Sequence, residues 1–420
     1  MNTSSISKFL RSLGPGLIFA STAIGVSHLV QSTRAGADYG FGLLWAILLA
    51  NILKYPFFEF GSRYAAGQGE SLIDGYARIG KWALGIYTFI TLGTMFFVSA
   101  AVGAVTAGFL YQLFDLSGYL SLFQVNAILF AICIGILFWG HYKGLSQLIK
   151  VVGSVLVLST LAAFIATLVR GPSSAEFNWF DSSSLEFGSP SFAFLIALMG
   201  WMPTAVDLSA WNSLWTIAQA KEQKLSFKEI IREFRFGYWL SALLAPCFMI
   251  LGAYLIYGTE KKLGGSAAAF AGEIINLYTE SMGAWSKPII SASAFSIMFG
   301  TCIAVFDGYA RVGEKLWSLY TQQSFEASKS SNRYRITLLF LGIGGLGLIG
   351  IFSGQLKGLV DLATAISFLI APLIAGANYY LVLQIPEAYR PKGFLRILSV
   401  LGIIFLSGFS LIYVLSLFVS

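Results

Sequence analysis

Apolar residues run through this chain in long stretches separated by short polar turns. A helix needs roughly 20 apolar residues to cross a bilayer. On that measure the pattern predicts an all-α integral membrane protein of about eleven spans, near 14–34, 41–63, 84–113, 122–140, 148–169, 191–216, 237–258, 286–310, 335–353, 358–384 and 393–418. Two spans are interrupted. The sixth holds Gly200, Pro203 and Asp207 within Ala197–Ser209, and the first holds Gly25, Ser27 and His28. Proline removes a backbone donor and breaks the helical ladder. Irregular backbone at membrane depth is tolerated only where protein or a water-filled cavity covers it. A charge there marks a pathway or a site. Spans one and six therefore read as pairs of half-helices around a central site. With an odd count of spans, the two five-span halves face opposite ways. One domain covers 1–420 with no linker. Its repeats fall at about 14–169 and 191–384, with an extra helix at about 393–418.

Composition supports the membrane reading. Hydrophobic residues make up 56% and charged residues 11%, against about 25% charged in an average soluble domain. The net charge of +7 does not indicate nucleic acid, because the basic residues sit in short loops. Lys8 and Arg11 precede span one. Every second loop afterwards is basic, from Arg63, Arg78 and Lys81 through Lys143 and Lys150 to the group Lys221–Arg235, Arg311–Arg335 and Arg390–Arg396. That bias predicts a cytoplasmic N-terminus and an external C-terminus in the cell inner membrane. No cleavable signal is read at the N-terminus. Ser226 and Glu229 have capping-box spacing and predict a short amphipathic helix. A second short helix is expected over 264–280, and 311–332 is read as a connection. Cys133, Cys247 and Cys302 lie in apolar runs with no metal or disulfide spacing. No phosphate-cradling G-x-x-x-x-G-K-[ST] loop and no H-E-x-x-H is present, so neither ATP drive nor enzymatic chemistry is expected.

In Gly14-Pro15-Gly16, Gln31–Gly36, Gly40–Trp45 and Arg63, with Met202-Pro203 in span six and Tyr309-Ala310 in span eight, the chain resembles the Nramp family of divalent-metal transporters. The resemblance implies a LeuT-type 5+5 inverted-repeat fold, alternating access and symport of a divalent cation. The departures are specific. Where the family has Asp-Pro-Gly-Asn, this chain has Gly25-Val26-Ser27-His28. After Met-Pro it has Thr204 and Ala205 in place of His and Asn. The family's carbonyl-donating Ala falls at Met199. Span three lacks the acidic pair expected for a proton route.

These residues define the candidates. Asp207 reads as a cation ligand or proton carrier, or else as a buried acid paired with Lys54. His28, facing Asp207 across the breaks, would form an acid–imidazole pair suited to a transition metal. Met202 offers a soft thioether, with Met199 one turn away. Thr204 and carbonyls near Gly25 add oxygen. Asp307 reads as part of a coupling route or as an inner gate with Arg311 at i+4. Lys54 supplies a fixed positive charge that replaces a coupling cation, or neutralises Asp207 or Asp307. Glu59 and Arg63 form an i,i+4 pair. Thr364 and Ser367 stand where the family offers a polar ligand, and Asn51 and Asn378 are expected to join helices. The expected partners are a divalent cation as substrate, protons and the lipid bilayer, with no resident cofactor and a monomeric chain. The alternative is a symporter of a small organic solute on the same scaffold.

Overall fold

The computed structural model describes residues 15–139, 157–174, 186–222, 225–323 and 331–418, and all regular structure among them is helical. Six of these helices are long and apolar enough to cross a membrane. Lys8, Arg11, Gly14, Lys143, Lys150, Lys224, Lys329 and most of the loop 174–190 lie outside the described residues.

The first predicted span is broken. Pro15–Ala23 is one half. After a break at 24–26 the chain resumes as a π-helix over Ser27–Ser32 and an α-helix over Thr33–Tyr39. Span six has halves Pro190–Gly200 and Leu208–Glu222, and the bond Met202–Pro203 between them is cis. The other spans are Leu44–Gln68, Lys81–Leu113, Leu122–Trp139, Val157–Arg170, Phe227–Leu255, Lys287–Thr321, Asn332–Ile351, Leu356–Val382 and Phe394–Ser416.

The spans pack in two groups. Span seven lies along span two and along both halves of span one, while the second half of span six lies along span two. Spans three, four, eight and nine form the other group, with three against eight and nine, and four against nine. The contact of span seven with the second half of span one is mirrored by that of span two with the second half of span six. This is the pairing an inverted repeat produces.

Small residues set these approaches, as expected where backbones cross in a membrane. A Cβ on Gly36 would stand 1.9 Å from the Met249 carbonyl oxygen, and one on Gly200 would stand 2.0 Å from that of Thr364. The Ala-Gly step of the Gln31–Gly36 motif is thus a contact surface for span seven.

Three expectations about loops change. The Ser226–Glu229 capping box forms, but its helix runs straight into span seven, so no separate amphipathic helix exists there. Span eight continues to Thr321, so much of the expected connection after Arg311 is helix. A short helix over Leu72–Ile79, between spans two and three, was not anticipated. Ser71 and Asp74 cap it reciprocally, a spacing visible in the sequence. The short helix after span seven is present as Ala267–Met282.

Candidate functional site

The break in span six is filled by charge from within the chain. Lys54, from the middle of span two, is fully buried. Its Nζ donates to the carbonyl oxygens of Met199 at 3.0 Å, Gly200 at 2.9 Å and Thr204 at 2.9 Å. An ammonium has three donors, and all are used. Met199 and Gly200 end the first half-helix, whose last carbonyls have no partner within the helix. Lys54 therefore closes a C-terminal helix end with positive charge, where the macrodipole favours it.

Asp207 immediately precedes Leu208, the first residue of the second half-helix. That is the capping position at which aspartate is favoured. Its side chain is buried, and Oδ1 has no hydrogen-bond partner. The carboxylate interacts electrostatically with Lys54 but does not close to a salt bridge. The hydroxyls of Tyr76, Tyr87 and Tyr309 lie within electrostatic reach of it.

The break in span one is neutral. The Ser27 hydroxyl lies 2.5 Å from the Ala23 carbonyl oxygen and 2.7 Å from His28 Nδ1. His28 Nε2 lies 2.9 Å from the Ser241 carbonyl oxygen of span seven. A carbonyl can only accept, so Nε2 carries the ring proton, while the one Ser27 proton goes to the Ala23 carbonyl. Span eight contributes Thr301, whose hydroxyl donates to the Ser21 carbonyl at 2.8 Å. A Cβ on Gly25 would meet Thr301 Oγ1 and Cγ2 at 3.0 Å.

Between the two breaks lies a cavity of about 20 Å³, room for a single water. Thr22, Ser27, Thr204 and Thr301 bring hydroxyl-bearing side chains to its wall, and Val26, Val98 and Trp201 supply apolar surface. Spans one, three, six and eight meet there. Among the described residues, no carboxylate, imidazole or thioether lines it.

Polar clusters close both ends of the bundle. At the end nearer Tyr39, Arg34 of span one and Asp361 of span ten form a two-pronged ion pair at 2.7 and 3.0 Å. Gln31 donates to the same carboxylate at 3.1 Å, and the guanidinium lies over Phe194 at 4.6 Å. At the other end, Glu59 takes Arg63, Arg235 and Tyr55. Asp307 takes Arg311 at 2.7 Å, Tyr334 at 2.8 Å and Trp215 at 3.3 Å. Among the described residues, ion pairs and hydrogen bonds thus tie the helices together at both ends of the bundle.

No model of a known protein family matches the sequence. A curated relative, "Uncharacterized protein PM0681" of Pasteurella multocida, is 34% identical over 412 residues, spanning 97% of this chain and 92% of the relative. The chain belongs to the family of this Pasteurella protein. Solved structures share its fold at low identity. A manganese transporter of Eremococcus coleocola matches with a TM-score of 0.67 at 14% identity, over 98% of this chain and 87% of that one. MhsT in complex with L-phenylalanine matches at 0.64 and 15%, over 96% and 98%. Mhp1, a nucleobase-cation-symport-1 family transporter, matches at 0.57 and 16%, over 97% and 89%. The fold is thus the LeuT-type helical membrane architecture.

Several expected site residues are placed differently from the sequence reading. His28 and Asp207 share no hydrogen bond or ion pair. His28 Nε2 is held by the Ser241 carbonyl and Nδ1 faces Ser27, so no acid–imidazole pair forms. The Met202 sulfur accepts from Ser32 at 4.0 Å, and Met199 contributes its carbonyl to Lys54. Thr204 and Gly25 do stand at the breaks. Asp307 and Arg311 form an i,i+4 salt bridge, and Glu59 pairs with Arg63 and also with Arg235. Thr364 accepts from Gln31 at 3.4 Å and donates to Val360 at 2.8 Å. Asn378 joins helices through Ser209 at 2.7 Å and Tyr76 at 2.5 Å. The Asn51 side chain bonds only within its own helix, to Ile47 at 2.8 Å. Sequence reasoning missed Asp361, although an acid inside span ten was a signal of the same kind as Asp207. It also missed Thr22 and Thr301, because a hydroxyl in a span usually only packs helices.

Proposed function

We propose that this protein is a secondary transporter that carries a small, uncharged or zwitterionic organic solute by alternating access. The observation behind this reading is the lining of the cavity between the two breaks. Hydroxyl groups over an apolar wall suit a compact solute that hydrogen-bonds. A divalent cation instead needs carboxylate, imidazole or thiolate ligands, or a cage of oxygens. In span six the exposed carbonyls that would serve it already bind Lys54. The clusters around Arg34–Asp361 and Asp307–Arg311 would open in turn, admitting solute from one side and releasing it to the other.

Divalent-metal import, with or without protons, is the second reading. It is favoured by the buried Asp207, whose Oδ1 has no partner, and by the Met202 thioether in the same break. Proteoliposomes decide between the two. Mn²⁺, Fe²⁺, Co²⁺ and Zn²⁺ should quench a trapped metal dye no faster than in empty liposomes. A panel of amino acids, nucleobases and polyols should contain a solute that raises the melting temperature of the protein and exchanges across the membrane. Metal-dependent quenching that Asp207→Ala abolishes would overturn the organic-solute reading.

A further inference from the structure

The strongest unexplained feature is a lysine with no access to water, held by three carbonyl oxygens of a broken helix. Such an arrangement is costly unless every donor is paired. It is also the coordination that a small cation seeks, with hard oxygen donors and a carboxylate close by. We propose that the Lys54 ammonium is a tethered substitute for a bound cation, and that the carbonyls of Met199, Gly200 and Thr204 with the carboxylate of Asp207 form a latent cation cage that Lys54 keeps filled.

Three observations converge on this. All three ammonium donors are used on the cage. The carbonyls belong to the end of the first half-helix and to the linker after it, so the ammonium ties one to the other, as a coordinated ion would. The nearby Asp207, which interacts electrostatically with Lys54, leaves one buried carboxylate oxygen without a partner. The charge of the site is then permanent. Binding at the break does not depend on the ions in the medium, and the proposal rests on the transporter reading only for its corollary that uptake needs no Na⁺.

The test reads ion occupancy rather than flux, so its failure is separable from failure of the transport reading. Purified full-length protein is melted in choline chloride and in chlorides of Na⁺, K⁺, Ca²⁺ and Mn²⁺ at matched ionic strength. The wild type should melt at the same temperature in all. Lys54→Ala should melt lower in choline and recover by several degrees, saturably, with at least one of these cations. Adding Asp207→Asn to Lys54→Ala should remove that recovery, and Lys54→Arg should behave like the wild type towards ions. If Lys54→Ala does not survive purification, Lys54→Met, which keeps the packing of the stem, is read in the same way. A wild type that is stabilised saturably by one of the cations and loses this in Asp207→Asn would overturn the proposal. So would a folded Lys54 variant indifferent to every cation, or failure of both variants to fold in every salt, since a vacated cage should be refilled from the medium.

Discussion

The two broken spans solve the same physical problem in opposite ways. Each leaves carbonyls and amides without helical partners in the middle of a bilayer. Span one satisfies them with neutral hydroxyls, from Ser27 within the break and from Thr301 across it. Span six satisfies them with full charges, Lys54 at the end of one half and Asp207 at the start of the other. Both breaks line the cavity, Val26 and Ser27 from one and Trp201, Thr204 and Ala205 from the other, but the side chains of Lys54 and Asp207 do not reach it. A fold with internal repeats need not use both breaks alike: one can recognise a ligand while the other holds the scaffold together.

Removing the seal should have the largest effect. Lys54→Met leaves the carbonyls of Gly200 and Thr204 without donors, each at a cost of about 1–3 kcal/mol, while Met199 keeps the Met202 amide. In choline buffer the melting temperature should fall further than for any other single change considered, and a variant as stable as the wild type would show the carbonyls to be satisfied elsewhere. The next contrast comes from the glycines of the two breaks. A Cβ on Gly200 runs into the Thr364 backbone at 2.0 Å, while one on Gly25 meets only the Thr301 side chain at 3.0 Å. Backbone cannot yield as a side chain can. Gly200→Ala should therefore cost about 1–3 kcal/mol, in the range of overpacking, and Gly25→Ala clearly less. Equal losses in thermal denaturation would remove the distinction between a rigid and a yielding break.

How much of this was legible follows the same division. Apolar run length located the spans, and Gly200, Pro203 and Gly25 located the breaks, because both signals are local. The capping box at Ser71–Asp74 was equally local and was simply overlooked. The partner of Lys54 was not legible. Backbone carbonyls carry no residue signature, so a lysine in span two gives no hint that it ends on Met199, Gly200 and Thr204. His28 misled for a related reason. Its position in the motif suggested a ligand, but its ring is turned to a carbonyl on span seven, which no pattern in the sequence marks. The Gly25 position shows where resemblance stops. An aspartate there, as in the family that the sequence resembles, would need space that Thr301 occupies.

Asp207 offers the finest cut between the two kinds of break. If it serves only as a helix cap, Asp207→Asn should be almost neutral, since asparagine caps as well as aspartate. If it also balances Lys54, the substitution leaves a buried ammonium without its counter-charge. We expect the second outcome, with a loss of about 1–2 kcal/mol and a larger one for Asp207→Ala, which removes the cap as well. A double-mutant cycle isolates the electrostatic part. Lys54→Met and Asp207→Asn together should destabilise by less than the sum of their separate effects, with a coupling of about 0.5–3 kcal/mol, the range for groups in one network. Strict additivity in denaturation measurements would reduce Asp207 to a cap and leave Lys54 balanced by carbonyl dipoles alone. The charged break would then be a one-sided seal, closer in kind to the neutral break of span one than its two ionisable residues suggest.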